Sequence, residues 1–272
     1  MRRVLLALAA ALAVGGCGDT TASEGNGAPV VKEVTRQPDK PRPRTAAAAL
    51  ERLSVKGRAP KTGYDREQFG GDWASVGGCD MRNRTLARAQ RDVVYDAGSA
   101  CEVASGTLSD PYTGARIRYV SGDAREVDVD HVVALGDAWQ KGAQQWSYAR
   151  RVRFANDPLN LLVVDASANR QKGDGDAATW LPPNKGFRCD YVARQIAVKR
   201  RYKAWVTRAE KDAMNRVLSA CPAQKLPTVR RARYFENCDA VRAAGAAPLT
   251  RGDGNYEDNA QMDRDGDGVA CE

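Results

Sequence analysis

One histidine, His131, stands in 272 residues. That excludes three-histidine zinc sites, HExxH metalloproteases and any mechanism that needs two imidazoles. No apolar run approaches the ~20 residues of a membrane-spanning helix, so a multi-span membrane protein is excluded. No CxxC pair is present, which argues against a zinc ribbon. G-x-S-x-G and P-loop motifs are both missing. Gly173-x-Gly175-x-x-Ala178 matches a dinucleotide fingerprint, but it follows a helical segment where that fingerprint needs a strand. Hydrophobic residues make up 43% of the chain, enough for a packed core, which excludes a wholly disordered chain.

The N-terminus has the pattern of an export signal. Arg2 and Arg3 precede an apolar run from Val4 to Val14, the length of a signal h-region and too short to span a bilayer. Gly15, Gly16 and Cys17 follow, and small residues before a cysteine resemble a lipobox. The expectation is a signal peptide over 1–16 with lipidation of Cys17, the alternative being an ordinary secretory signal cleaved nearby that leaves the protein free outside the cell, and a Pro-rich flexible tether over 17–45. The membrane would then be met through the lipid anchor only.

Export gives the other six cysteines a role. Cys79, Cys101, Cys189, Cys221, Cys238 and Cys271 are expected to form three disulfides. The sequence does not choose among the pairings. Joining sequence neighbours, 79–101, 189–221 and 238–271, keeps each loop short and is the arrangement expected here.

Charge divides the chain. The net charge is +8. Tyr234 to Glu272 holds nine acidic residues against three basic ones, a net of −6, which leaves +14 for the rest. A break near Cys221–Pro227 separates a large module, 46–225, from a small one, 232–272. A polyanion suits the first and a cation the second.

Within the large module, Ala115–Val120 and Glu126–Leu135 alternate as strands around the turn Ser121–Ala124, which predicts a hairpin. Gly136–Ala155 has helical spacing and stops at Asn156-Asp157-Pro158. Leu161–Val164 is a short apolar strand. Asp165 is placed to cap a helix carrying Asn169, which ends at Gly173–Gly175. Tyr191–Leu218 is helical again, with Arg194, Lys199, Arg200, Arg201, Lys203 and Arg208 forming either a solvated face or a phosphate-tracking one. Trp139, Trp146, Trp180 and Trp205 are expected in the core rather than as base-stacking platforms.

The chemistry centres on Val129-Asp130-His131-Val132-Val133, followed by Asn160-Leu161-Leu162-Val163-Val164 and Asn169-Arg170-Gln171-Lys172-Gly173-Asp174. Asp-His, an Asn opening a strand and a second Asn nine residues on resemble the HNH endonuclease family, whose core is a ββα-metal motif. The similarity is greatest to the secreted bacterial branch with the GmrSD restriction-enzyme C-terminal domain. The Asn-to-Asn spacing also resembles the HNH domain of RNA-guided CRISPR nucleases. The resemblance runs from about Tyr112 to Leu181. Asp80-Met81-Arg82-Asn83 and Asp110-Pro111-Tyr112-Thr113-Gly114 extend it more weakly over 64–220.

The resemblance implies phosphodiester hydrolysis of nucleic acid, DNA above all. His131 would be the general base and Asn160 would fix its ring. Asp130 and Asn169 would hold Mg²⁺ or Mn²⁺, with Lys172 and Arg170 at the phosphate. Two oxygen ligands leave coordination positions open for water and phosphate. Asp130 and His131 point to opposite faces of a flat strand, so Asp128 is the alternative ligand.

In the tail, Asp263, Asp265 and Asp267 alternate and Gly268 takes the sixth position, as in the opening of an EF-hand loop. Glu272 stands at the tenth position and would complete coordination. With Asn237-Cys238, Gly245, Pro248, Tyr256 and Ala270-Cys271-Glu272, residues 234–272 resemble the Excalibur calcium-binding domain, which implies Ca²⁺.

The expected fold is α+β: a ββα-metal HNH core in a mainly helical domain, plus a small disulfide-linked calcium module. The protein would be a monomer outside the cytoplasm. The rival is a non-catalytic, calcium-dependent surface protein that binds nucleic acid or cell-wall material. The intact set Asp130, His131, Asn160 and Asn169 favours the enzyme.

Overall fold

The computed structural model describes residues 45–76, 78–99, 101–123, 126–227, 235, 237–250, 255–259, 262–265 and 267–272. All of them belong to one compact unit, Arg42–Glu272. The expected signal peptide, Cys17 and nearly all of the tether lie outside the described residues.

Mixed helices and strands build the unit. In chain order they are α1 (Ala46–Leu50), β1 (Ser75–Val76), β2 (Cys79–Asp80), α2 (Met81–Ala89), β3 (Gln90–Tyr95), β4 (Val103–Ser109), β5 (Arg116–Val120) and β6 (Val127–His131). Then come α3 (Leu135–Gln140), α4 (Tyr148–Ala155), β7 (Leu161–Asp165), α5 (Ala166–Lys172), α6 (Arg188–Tyr202) and α7 (Arg208–Leu218). The tail adds α8 (Cys238–Ala243), β8 (Leu249–Thr250), α9 (Tyr256–Asn259) and β9 (Val269–Ala270).

The hairpin expected between 115 and 135 does not form. β5 pairs antiparallel with β4, and β6 pairs antiparallel with β7, with Val127 opposite Asp165 and His131 opposite Leu161. The turn that decides this lies before β5, not after it. The Asp110 carboxylate accepts from the Tyr112 and Thr113 amides and the Thr113 hydroxyl, and Gly114 takes φ +80°. That closed turn joins β4 to β5. Asp110 also accepts from the Asp165 amide at 3.0 Å, so one carboxylate ties the β4–β5 turn to the end of β7.

Two long helical stretches also break. Gly142, at φ +126°, interrupts 136–155, and a Cβ there would meet the Trp205 ring at 3.2 Å. Lys203, at φ +52°, ends α6, and a Thr207–Glu210 capping box starts α7. The Asp165 cap of α5 forms as the sequence suggested, accepting from the Ala168 amide at 2.7 Å.

The β6–β7 ribbon is covered on both faces. Val127 and Val163 pack with Leu86, Val103, Leu108 and Tyr119 under the β3–β4–β5 sheet. Val164 and Leu162 turn the other way, into a core with Tyr112, Tyr191, Ile196 and Met214. A third cluster gathers Phe69, Trp139, Trp146, Phe154 and Tyr202 beside the end of β6. Trp139 and Trp146 are therefore core residues, as expected, while Trp180 and Trp205 are half-buried. The disulfides join Cys79 to Cys101, Cys189 to Cys221 and Cys238 to Cys271.

Candidate active site and calcium loop

Side chains alternate along β6, so Asp128 and Asp130 share one face and His131 takes the other. α5 follows β7 directly and packs on the aspartate face. There the Asn169 amide donates to Asp128 at 3.0 Å. Lys172, one turn further, reaches Asp130 at 2.8 Å and the His131 carbonyl at 3.0 Å.

Asp130 is enclosed, with 5% of its surface exposed. Lys172 occupies one carboxylate oxygen and the Tyr112 hydroxyl donates to the other. Burial, and then the Asp130 charge, push the Tyr112 phenol well above its ordinary pKa, so it stays a donor. Asn169 therefore meets Asp128 rather than Asp130. Lys172 is 3% exposed and its ammonium is consumed by Asp130. Lys172, expected at the phosphate, here forms an ion pair with Asp130. Arg170 is exposed on α5.

His131 closes β6 on the opposite face. Its Nε2 lies 2.8 Å from the Ala155 carbonyl oxygen. A carbonyl can only accept, so Nε2 carries the proton and Nδ1 is the basic nitrogen of the neutral ring. The Trp73 indole stacks on the imidazole, centroids 5.5 Å apart and planes within 8°. Burial, acting against the charge of Asp130, pushes the imidazole down to about 4. A slot of about 10 Å³ beside the ring, lined by Arg66, Phe69, Asp72, Trp73, Leu135 and Asn156 among others, has roughly the room one water molecule needs.

Asn160 does not touch the imidazole. It is fully buried, and its side chain accepts from the Val133 amide at 2.9 Å and donates to the Val133 carbonyl at 3.2 Å. Its own carbonyl accepts from Val132 at 2.8 Å. These three bonds clamp the chain leaving β6 and so hold the backbone of His131. The ring itself is fixed by the Ala155 carbonyl, which no side-chain motif could reveal. Trp73 lies far from the motif in sequence and was missed for the same reason.

The basic helix turns partly inward. Lys199 is fully buried against Asp137 and Glu210 at 2.9 Å each. Lys141 joins them, 2.6 Å from Asp137, 2.7 Å from Asp176 and 2.6 Å from Glu210. Arg58 closes the set on Asp137 and Asp176. Three cations thus balance three carboxylates. Burial alone would raise the Asp137 carboxyl, yet Lys199 and Lys141 hold it below its ordinary value. Arg194 donates to the carbonyls of Pro158, Leu159 and Leu161, and Arg201 pairs with Asp157. Arg200, Arg201, Lys203 and Arg208 remain exposed, so only Lys199 and Arg194 turn away from the solvent face.

In the tail, Val241, Leu249, Tyr256, Ala270 and Cys271 make a small core. Asp263, Asp265 and Asp267 each offer an oxygen within 4.8 Å of the others, a donor set that fits a hard cation such as Ca²⁺. Asp263 already accepts from Tyr256 and the Gly268 amide. The Glu272 side chain is not part of this cluster. Its carbonyl accepts from Arg242 at 2.9 Å instead.

The profile of the GmrSD restriction endonuclease C-terminal domain matches residues 80–217. That of the Excalibur calcium-binding domain matches residues 235–272. A protein of Arthroderma benhamiae described as an uncharacterized secreted protein is 37% identical over 191 residues, covering 69% of this chain and 90% of that one. That relative is fungal, so restriction to a bacterial branch has no support. No solved structure matches.

Proposed function

This chain belongs to the GmrSD restriction endonuclease C-terminal-domain family, and on that premise we propose that it is an exported, metal-dependent HNH nuclease cutting DNA. The observation that carries the reading is the His131 ring, held through Nε2 by a backbone carbonyl so that Nδ1 is left to accept a proton. The β6–β7–α5 order is the arrangement an HNH core requires. The ribbon is only two strands wide, and among the described residues no strand pairs with the outer edge of β6.

Nδ1 of His131 takes the proton of the attacking water as the new P–O bond forms and the bond to the leaving sugar oxygen breaks. Burial keeps the ring neutral, with its free nitrogen able to accept a proton, through physiological pH. Asp128 and Asn169 offer adjacent oxygen donors that fit a divalent cation, whereas both oxygens of Asp130 are engaged. Such a cation, Mg²⁺ or Mn²⁺, would neutralise charge on a phosphate oxygen. Asn160 keeps the backbone of this site in place, and exposed Arg66 brings a positive charge to the slot beside His131.

Purified protein should relax plasmid with Mg²⁺ or Mn²⁺ and stop when the metal is chelated. Asn169→Ala and Asp128→Ala should each need more metal, with activity partly restored as its concentration rises. Asp130→Asn should instead lower the melting temperature, because Lys172 loses its buried counter-charge. If Asp128→Ala leaves the metal requirement unchanged, Asp128 is not a ligand. No cleavage with either metal would overturn the enzyme reading.

The Excalibur domain points to calcium in the tail and, with the secreted relative, to an extracellular location. We assign the ion to Asp263, Asp265 and Asp267, and lipidation to Cys17. At tenfold excess over its dissociation constant, calcium should stabilise the fold that holds it by about 1.4 kcal/mol. Deleting residues 232–272 should abolish the calcium-dependent thermal shift and leave plasmid cleavage intact. A shift that persists in the deletion would move the calcium site elsewhere.

A further inference from the structure

A cleft of about 600 Å³ opens between the stretch after α5, the start of α6 and the end of α7. That volume lies in the usual range of ligand sites, roughly 300–1,000 Å³. Its walls include small apolar side chains, among them Ala177 and Ala213, and one aromatic ring, Trp180. Lys185, Arg188 and Arg216 supply the charge, and among the described residues no carboxylate lines the cleft. Among the described residues none of these three cations forms an ion pair. Lys185 and Arg216 are exposed. Arg188 is half-buried, its Nε donating to the Pro182 carbonyl at 2.7 Å.

Two features make the cleft rigid. The Cys189–Cys221 disulfide ties the beginning of α6 to the chain just past α7. Trp180 packs on Tyr112 at 5.0 Å and Tyr191 at 5.7 Å between ring centroids. Tyr112 in turn donates to Asp130. One wall of the cleft is therefore joined to the aspartate face of β6 through a single tyrosine.

We propose that this cleft is a second nucleic-acid contact that takes an unpaired nucleotide of the substrate. The base lies against Trp180 and the phosphates meet Lys185, Arg188 and Arg216. The inference rests on the nuclease reading and extends it to a subsite for single-stranded segments. An indole wall with alanines beside it suits a flat ring, since aromatic stacking accepts any base. Three unpaired cations and no acid suit phosphates, the guanidinium groups of Arg188 and Arg216 by their planar fork.

The test uses the full chain with metal chelated, so that binding is read without cleavage. The probe is a 5′-phosphorylated thymidylate tetramer. Lys185→Ala with Arg216→Ala should weaken its binding roughly tenfold at low salt, the scale of losing a charge-assisted contact. The slope of log K against log salt should flatten by about 1.4, or about 0.7 per cation for a single strand. Arg116→Ala with Arg118→Ala removes equal charge from exposed β5 positions and should change neither. A tetramer of abasic residues should bind the wild type more weakly than the thymidylate probe.

Equal losses in both double variants would overturn the proposal, as would no loss in the first. So would an acidic peptide or anionic vesicles binding through Lys185 and Arg216 where the tetramer does not. Failure here, beside plasmid cleavage that depends on His131, removes the cleft and leaves the nuclease. Absence of cleavage removes the nuclease whatever the tetramer does.

Discussion

Replacing His131 with alanine should give a folded protein whose plasmid cleavage is slower by about 10²–10⁴-fold, the usual cost of removing a general base. Circular dichroism checks the fold and gel-based relaxation gives the rate. The variant removes a neutral ring and strands no charge, so folding should survive. A His131→Ala protein that cuts at the wild-type rate would take the imidazole out of the chemistry. The pH dependence carries a second signature. Burial holds the folded ring at about 4, while the unfolded ring titrates at its ordinary 6.5. The unfolded chain therefore binds the extra proton first as acid is added. Without metal, stability should be undiminished above about pH 6.5 and should fall as pH drops toward 4, by about 3 kcal/mol in all. His131→Ala should lose that acid sensitivity. The acid limb of wild-type cleavage should likewise lie well below 6.5.

Lys141→Met should cost about 3–5 kcal/mol of stability, the penalty for breaking a buried ion pair from one side. Lys141 is fully buried and touches Asp137, Asp176 and Glu210, none farther than 2.7 Å. Methionine fills similar space but leaves three carboxylates facing only Lys199 and Arg58. In a domain of this size that is a drop in melting temperature of roughly 10 °C. Lys61→Ala is the contrast. Lys61 and Asp174 form a pair with about half of each side chain exposed, and exposed pairs contribute about 0–1 kcal/mol. If Lys141→Met melts with the wild type, the charge network does not hold α3, α6 and α7 together.

What lay in the sequence was whatever local chemistry decides. Asp165 caps α5 because its carboxylate needs only the amide three residues on. The alternating tail aspartates were legible because their spacing sets a turn within a few residues, while Asp-His and the two asparagines were legible through the family pattern they resemble. The disulfide partners formed between sequence neighbours, whose short loops close at little entropic cost.

Tertiary structure decided everything that depended on distant chain. The pairing of β6 with β7 across the α3 and α4 insertion was invisible, because β5 and β6 alternate equally well and only the Asp110 turn claims β5 for β4. Periodicity showed a basic helix but not that Lys199 points inward, since three carboxylates from 137, 176 and 210 had to converge first. That Asp128 meets Asn169 while Asp130 meets Lys172 was set by how α5 lies across β6. The nitrogen of His131 left free for a proton was set by a backbone carbonyl, a group that every residue carries and no sequence distinguishes.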